Sequence, residues 1–235
     1  MQAAPPPPTT ASSAHASIGS DLKITPLPLT ALPPPDAISQ TRDSATAAFR
    51  GYTLAELEKR SVGGKRPSAL LSRASDLRSD RAICTAARPA VFIDLDPGRG
   101  TFDPLEPGQP DRVMVSALNE LRARGVEVVW FSRLGTGFEE AARAALATAG
   151  LDPARTDRLV LLSTLEERKQ TRRDEVAKAL CPLALVGDER ADFDELYLYL
   201  KHPDAAVALD AMIGRGWFLA SPFAAAHAIP EETVP

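Results

Sequence analysis

Short apolar runs alternate with amphipathic stretches along the chain from about residue 88. The apolar runs predict buried strands at residues 90–95, 126–131, 158–162, 183–186 and 217–219. Helices are predicted between them at residues 111–124, 138–148, 164–180 and around 193–200. Because strands with continuous apolar sequence are buried on both faces, the pattern predicts an α/β fold. We expect a three-layer, Rossmann-like parallel sheet with helices on both faces.

The first 87 residues follow a different pattern. Residues 1–40 are rich in proline and small residues and predict a disordered arm, because they cannot build a core. Residues 41–87 predict a helical segment, with helices at 41–49, 53–59 and 67–78. Thr53 and Glu56 fit a capping box that would start the second of these helices. Residues 88–225 would then form the main domain, and residues 226–235 a C-terminal tail.

Polar side chains stand at the carboxyl ends of three predicted strands. They are Asp94 and Asp96, Ser132 and Arg133, and Asp188 and Asp192. In parallel sheets, ligands bind beyond the carboxyl ends of the strands. Carboxylates delivered there from two strands would bind a hard cation such as Mg²⁺ and would support phosphoryl chemistry.

Composition narrows the classes of function. The chain has 235 residues, 44% of them hydrophobic, and a net charge of −4, which predicts no attraction to nucleic acid. No apolar run approaches the ~20 residues that span a bilayer. The motifs GxxxxGK[ST] and GxGxxG are absent, which disfavours P-loop and dinucleotide-binding proteins. Cys84 and Cys181 form no CxxC motif or Cys/His cluster, so they are either two free thiols or one disulfide.

Four short motifs together resemble one enzyme superfamily. They are VFIDLD at 91–96, VWFSR at 129–133, RKQTRR at 168–173 and LVGDERADF at 185–193. With these motifs in this order, residues 88–222 resemble the haloacid dehalogenase (HAD) superfamily of aspartate-nucleophile phosphohydrolases. The last two motifs are similar to those of its secreted acid phosphatases, which include classes B and C. That resemblance implies a periplasmic or secreted protein, although residues 1–8 lack the charged and apolar regions of an intact signal peptide.

The resemblance implies a role for each motif. Asp94 would be the nucleophile, and Asp96 would protonate the leaving alcohol and then activate water. The metal would be Mg²⁺, and its ligands would come from Asp94, Asp96 (through its main-chain carbonyl), Asp188 and Asp192. The substrate phosphate would be bound by Ser132, Arg133, Lys169 and Arg172. Two alternatives stay open: Arg172 in a structural ion pair, and Arg168 or Lys178 in place of Lys169.

One departure from the family pattern lies beside the nucleophile. The run from Asp94 to Asp103 reads like the common DxDGTLFD sequence with about three residues inserted, among them Pro97, Gly98 and Gly100. This insertion would reshape the turn and change how Asp96 is aimed. The short segments between the motifs leave no room for a large cap domain. We therefore expect either an open site for a small phosphorylated substrate, or a site covered by residues 41–82 or by a second copy in a homo-oligomer.

The resemblance also bears on the cysteines and on the choice of function. The strands that carry the first and fourth motifs are neighbours in the superfamily, and Cys84 and Cys181 precede them, so an exported protein would form a disulfide there. The leading function is a Mg²⁺-dependent phosphomonoesterase of the acid-phosphatase type. The alternative is a non-catalytic HAD-like module that binds a phosphorylated ligand or a protein partner. A phosphotransferase or phosphomutase with the same intermediate is a third interpretation, which the short inserts disfavour.

Overall fold

The computed structural model describes residues 35–59, 65–74, 76–164 and 166–224, without the side chains of residues 35–42, 203, 204 and 224. Residues 1–34 of the arm expected over residues 1–40 lie outside these ranges, as does the tail expected at 226–235. The described residues belong to one compact unit. The helices are α1 (Pro35–Glu58), α2 (Arg112–Ala123), α3 (Glu139–Thr148) and α4 (Lys169–Ala177). The strands are β1 (Pro67–Leu71), β2 (Arg81–Ile83), β3 (Pro89–Asp94), β4 (Gln109–Pro110), β5 (Glu127–Gly135), β6 (Arg158–Leu162), β7 (Cys181–Gly187), β8 (Trp217–Leu219) and β9 (Phe223–Ala224).

Five parallel strands form the central sheet in the order β6-β5-β3-β7-β8. Their side chains alternate between two cores, as the pleat requires. Val91 and Ile93 of β3 pack into the core that α1, α2 and α3 cover. Ala90 and Phe92 pack into the core on the other face, which α4 and the β1–β2 hairpin help to cover. The three-layer, Rossmann-like parallel sheet predicted from the sequence is therefore confirmed.

The strand register brings the polar strand ends together. Asp94 of β3 is paired with Phe131 of β5, and Ile93 is paired with Val186 of β7. Residues that follow Phe131 and Val186 therefore emerge beside Asp94 at the carboxyl edge of the sheet. This is the edge at which the sequence predicts the site.

Helix α2 shows how local sequence sets an element's bounds. Asp111 caps it by accepting a 2.8 Å hydrogen bond from the main-chain N of Val113. After the helix, Gly125 takes a φ of +77°, which a glycine adopts without strain. The buried residues of α2 are Met114, Ala117, Leu118 and Leu121. Val115 is partly buried and packs against the same core.

The N-terminal segment differs most from expectation. The predicted helix at 67–78 is wrong, because this stretch holds β1 and leads into its antiparallel partner β2. Tertiary contacts override the local pattern there: the indole N of Trp217 donates a 2.9 Å bond to the carbonyl of Ala69. The predicted helix start at Thr53 is also wrong. Thr53 lies inside α1 and donates its hydroxyl to the carbonyl of Phe49, so one helix replaces two.

Helical bounds differ at three further places. Helix α1 begins at Pro35, inside the stretch that was assigned to the disordered arm. Helix α4 is shorter than the predicted helix at 164–180, because Arg168 is extended and ends the loop before Lys169. The helix expected around 193–200 is instead a pair of 3₁₀ turns, Arg190–Asp192 and Glu195–Leu198. These turns keep the chain close to the end of β7.

A disulfide joins Cys84 to Cys181, as the sequence interpretation allowed. It links the end of the β1–β2 hairpin to the first residue of β7. Between β3 and α2, and between α4 and β7, the described chain holds no additional domain, which agrees with the expected absence of a large cap. Among the described residues, no helix is long and apolar enough to cross a bilayer.

Candidate active site

Asp94 is the last residue of β3 and is buried at the carboxyl edge of the sheet. Its Oδ1 accepts a 3.1 Å hydrogen bond from the main-chain N of Asp96. Its Oδ2 lies 2.6 Å from Nζ of Lys169. Both carboxylate oxygens are therefore held in place.

Lys169 is the first residue of α4 and brings positive charge into the carboxylates. Its Nζ lies 2.6 Å from Asp94 Oδ2, 3.1 Å from Asp96 Oδ2 and 3.7 Å from Asp192 Oδ1. Burial opposes the charge of Lys169, but the three carboxylates outweigh it and raise its pKa. Arg168 instead pairs with Glu195, and Lys178 pairs with Glu175. Of the three candidates, the structure places Lys169 at Asp94.

Asp96 has a buried carboxylate that accepts bonds on both oxygens. Oδ1 accepts from the hydroxyl of Ser132 at 2.6 Å and from the main-chain N of Phe102 at 3.1 Å. Oδ2 accepts from the main-chain N of Arg133 at 2.8 Å and from its Nε at 3.2 Å, with Lys169 also at 3.1 Å. Burial disfavours the ionised form, but Lys169 and the hydrogen bonds outweigh it and lower the pKa of Asp96.

The inserted turn, residues 97–100, follows Asp96 in the chain and lies against Asp188 of the fourth motif. It is closed by a 2.8 Å bond from the N of Gly100 to the carbonyl of Pro97. Gly98 has a φ of +48°, and its N donates to both carboxylate oxygens of Asp188 at 2.9 and 3.1 Å. The turn thus contacts the fourth motif directly.

Gly187, at the end of β7, leaves room for Asp192. A Cβ added at Gly187 would lie 2.4 Å from Cβ of Asp192 and 2.6 Å from its Oδ2. The turn that carries Asp192 is fixed by a capping box, in which the N of Glu189 donates to Asp192 Oδ2 at 2.9 Å. Only glycine lets the carboxylate of Asp192 approach the strand this closely.

The described site residues include a pair of acidic groups that suits a divalent cation. The carboxyl groups of Asp94 and Asp192 lie within hydrogen-bonding reach of each other, and Asp188 reaches Asp192 as well. Burial, together with the hydrogen bond and charge of Asp94, raises the pKa of Asp192 to about 9. In the described chain, no three acidic, histidine or cysteine side chains form a ready-made metal shell. Mg²⁺ fits nevertheless, since it keeps several waters and binds proteins through one or two carboxylates.

Two predicted phosphate-binding residues contact other parts of the chain. Ser132 is fully buried and donates to Asp96, while its Oγ accepts from the N of Leu134 at 3.0 Å. Nη1 of Arg172 donates to the main-chain carbonyls of Ser132 and Val160, both at 2.9 Å. Arg172 therefore ties β5 to β6 through main-chain oxygens of the two strands.

A cavity of about 260 Å³ opens beside Lys169 and Asp192. Its lining combines arginine, glutamate and apolar side chains, among them Arg99, Arg133, Glu189, Leu198 and Tyr199. Leu198 and Tyr199 are the exposed apolar and aromatic side chains of this lining. The cavity is large enough for a phosphoryl group with a small leaving group.

Sequence reasoning missed one buried cation beneath the site. Arg173 is buried among Phe92, Phe131 and Leu185, close to the charges of Asp94 and Asp192. Among the described residues, its Nε and Nη2 have no hydrogen-bond partner. In the sequence, the run of charges around Arg173 is typical of an exposed helix face. The burial of Arg173 becomes apparent only when this face of α4 packs on the sheet.

Comparison with solved structures identifies the fold. The class C acid phosphatase from Bacillus anthracis matches with a TM-score of 0.54 and 16% identity, over 79% of this chain and 78% of that one. The same enzyme with tungstate bound matches with a TM-score of 0.53 at the same identity and coverage. No protein-family profile matches the sequence, and no curated protein matches it. At this identity the likeness shows the fold alone: the chain shares the α/β fold of these two structures.

Proposed function

We propose that the protein is a Mg²⁺-dependent phosphomonoesterase in which Asp94 attacks the phosphorus atom. The observation that carries the proposal is the position of Asp94. It lies at the carboxyl end of the central strand, in contact with Lys169 and Asp192, and these two residues line a cavity of about 260 Å³. The nucleophile, the ammonium of Lys169 and a pair of carboxylates suited to a divalent ion lie close together, which is what phosphoryl transfer requires.

Asp94 would form a covalent intermediate. Its carboxylate oxygen bonds to phosphorus as the bond from phosphorus to the leaving oxygen breaks, which gives an aspartyl phosphate. Because its pKa is lowered, Asp96 would first have to take up a proton. It would then donate that proton to the leaving oxygen and later take one from the attacking water. Water then attacks phosphorus and breaks its bond to the carboxylate oxygen of Asp94, which releases inorganic phosphate and restores Asp94. Lys169 restrains Asp94 and offsets the charge of the phosphoryl group.

Mg²⁺ would be held by Asp94, Asp188 and Asp192, with the main-chain carbonyl of Asp96 as the resemblance implies. When bound, the ion neutralises phosphoryl charge and orients the group for in-line attack. Without the metal, burial, together with the hydrogen bond and charge of Asp94, raises the pKa of Asp192 to about 9. A divalent ion would stabilise the ionised carboxylate at this position, which supports the proposed metal.

The disulfide supports an exported location. Disulfides persist in secreted and periplasmic proteins and are rare in reducing compartments. The Cys84–Cys181 bond is therefore consistent with a periplasmic or secreted enzyme. The proposed substrate is a small phosphorylated molecule, and assembly into a homo-oligomer stays a prediction.

Hydrolysis of p-nitrophenyl phosphate tests the function. The wild type should release nitrophenol with Mg²⁺ between acidic and neutral pH, and EDTA should abolish the reaction. Asp94→Asn should lower kcat by about 10³-fold or more, since the amide is not a nucleophile. Asp80→Asn, at an exposed aspartate that pairs with Arg78, is the matched control and should retain activity. Equal activity in Asp94→Asn and the wild type would overturn the mechanism.

The alternative function, a non-catalytic module that binds a phosphorylated ligand, draws support from Asp96. Both of its carboxylate oxygens already accept hydrogen bonds, so the proposed acid is engaged with the protein. Calorimetric titration with inorganic phosphate and Mg²⁺ separates the two functions. Phosphate binding without hydrolysis of any ester in a broad phosphomonoester panel would favour the module.

A further inference from the structure

Arg133 directs its guanidinium at the protein's own acceptors. Its Nε donates to Oδ2 of Asp96 at 3.2 Å. Its Nη2 donates to the carbonyl of Gly98 at 3.5 Å and, at shorter range, to the carbonyl of Gly100. One side chain therefore contacts both Asp96 and two carbonyls of the inserted turn.

The inserted turn connects Asp96 with the fourth motif. Beyond the bonds from Arg133, its Gly98 N donates to the carboxylate of Asp188. An insertion beside a catalytic strand end adds conformational freedom, which has to be restricted if Asp96 is to keep one orientation. The contacts to Arg133 and Asp188 supply that restriction.

The chemistry of arginine suits this role. Its planar guanidinium presents several N–H groups in a fixed fork, so it can reach a carboxylate and neighbouring carbonyls together. The main-chain N of Arg133 also donates to Asp96 Oδ2 at 2.8 Å, which anchors the residue next to the carboxylate. A lysine offers a single ammonium and would not reach all three acceptors at once.

We propose that Arg133 is a positioning residue, which joins the inserted turn to Asp96 and thereby aims the proposed acid and base. The inference rests on the proposed phosphomonoesterase function and replaces the expectation that Arg133 binds the substrate phosphate. Arg133 acts through Asp96 and the turn, and the phosphate is left to Lys169 and to the metal. Arg133 restricts the inserted turn, and the turn in return supplies two carbonyls that fix the guanidinium of Arg133.

Hydrogen exchange tests the structural half of the proposal without any need for activity. In Arg133→Met, amide exchange in the peptide that contains residues 97–102 should rise about 10-fold or more, because the turn loses its side-chain contacts. The peptide from α2 should be unchanged. Arg99→Met is the matched control: it removes an arginine from the same turn and the same cavity, and exchange of the turn should stay at the wild-type rate. Unchanged exchange in Arg133→Met would overturn the proposal.

Kinetics test the functional half. A positioning role predicts that Arg133→Met lowers kcat by about 100-fold, with KM and the inhibition constant of inorganic phosphate within about threefold of the wild type. Arg133→Lys should recover part of kcat, since an ammonium can still reach Asp96, while exchange of the turn remains raised. A large rise in KM and in the phosphate inhibition constant, with kcat preserved, would show direct phosphate binding and would overturn the proposal.

The two measurements also separate this inference from the proposed function. If the wild type hydrolyses no phosphomonoester, the phosphatase function fails, and the exchange experiment still decides whether Arg133 holds the turn. If the wild type is active and Arg133→Met matches it in kcat, the function stands and the positioning role is overturned.

Discussion

Nζ of Lys169 lies 2.6 Å from Oδ2 of Asp94, although the two residues are 75 positions apart in the chain. The contact arises because α4 begins at Lys169, directly over the carboxyl end of β3. The ammonium also reaches Asp96 at 3.1 Å, so it serves both carboxylates of the first motif. Replacement of this one cation should therefore affect both steps of the proposed reaction.

Lys169→Gln should lower kcat/KM by about 100- to 1,000-fold, because a charged donor at the reacting carboxylate is lost. Steady-state hydrolysis of p-nitrophenyl phosphate with saturating Mg²⁺ measures the effect. Lys178→Gln is the control, since Lys178 lies at the exposed end of α4 and pairs with Glu175. Equal losses in the two variants would contradict the assignment of Lys169 and would point to a general effect on α4.

A methyl group at Gly187 should disturb the metal site. In Gly187→Ala, the new Cβ would lie 2.4 Å from Cβ of Asp192, so the turn that carries Asp192 has to move. Mg²⁺ affinity should fall about 10- to 100-fold, as it does when the support of a metal ligand is altered. Calorimetric titration with Mg²⁺ measures the change.

Gly51→Ala provides the control for that substitution. Gly51 lies inside α1, and an added Cβ meets no atom within 4 Å. The variant should be more stable by about 0.5–1 kcal/mol, because alanine in a helix loses less backbone entropy on folding than glycine does. Its Mg²⁺ affinity should equal that of the wild type. If Gly187→Ala also bound Mg²⁺ with the wild-type affinity, Asp192 would not contribute to metal binding.

The disulfide should stabilise the fold without affecting the site. Cys84 and Cys181 are 97 residues apart, and a loop of that length predicts a stabilisation of about 2–5 kcal/mol. Urea unfolding of the Cys84→Ala/Cys181→Ala variant should show this loss, and added reductant should lower the wild type to the same value. Because Cys181 and Asp188 lie at opposite ends of β7, roughly 20 Å apart, kcat should change less than twofold. A loss of kcat under conditions in which the variant is fully folded would contradict this separation.

The sheet and its polar edge were predictable because burial on two faces leaves a strong signal. The bounds predicted for β6 and β8 agree with the structure, since each is a short apolar run between polar segments. The meeting of Asp94 with Asp188 and Asp192 also followed from the sequence. Parallel strands place their carboxyl ends at one edge whatever lies between them in the chain.

The N-terminal hairpin and the contacts of the inserted turn could not be predicted in this way. Residues 67–71 form a strand because β7 and Trp217 pack against them, and nothing within the segment itself records those partners. The contacts of Arg133 likewise depend on where the turn places the carbonyls of Gly98 and Gly100. The polar sequence of α4 is typical of an exposed helix, yet Gln170, Arg172 and Arg173 are buried. Long-range packing decided each of these cases.

The pKa of Asp192 gives the protein a pH-dependent stability when Mg²⁺ is removed. Burial and the neighbouring Asp94 raise it to about 9, whereas an unfolded aspartate titrates near about 4. Between these values the folded state binds the extra proton, so the free energy of unfolding falls as pH rises. Mg²⁺ should remove the effect, because the ion stabilises the ionised carboxylate.

Urea unfolding in EDTA at pH 5.5 and at pH 8 measures this dependence. The metal-free wild type should be less stable at pH 8, and Asp192→Asn should lose most of the difference, because an amide has no proton to release in this range. Asp80→Asn replaces an exposed aspartate and should keep the full difference. Addition of Mg²⁺ should stabilise the wild type more at pH 8 than at pH 5.5, since at the lower pH the metal has to displace a proton. If Asp192→Asn and the wild type showed the same pH dependence, the proton would reside elsewhere, and Asp192 would enter the site already ionised.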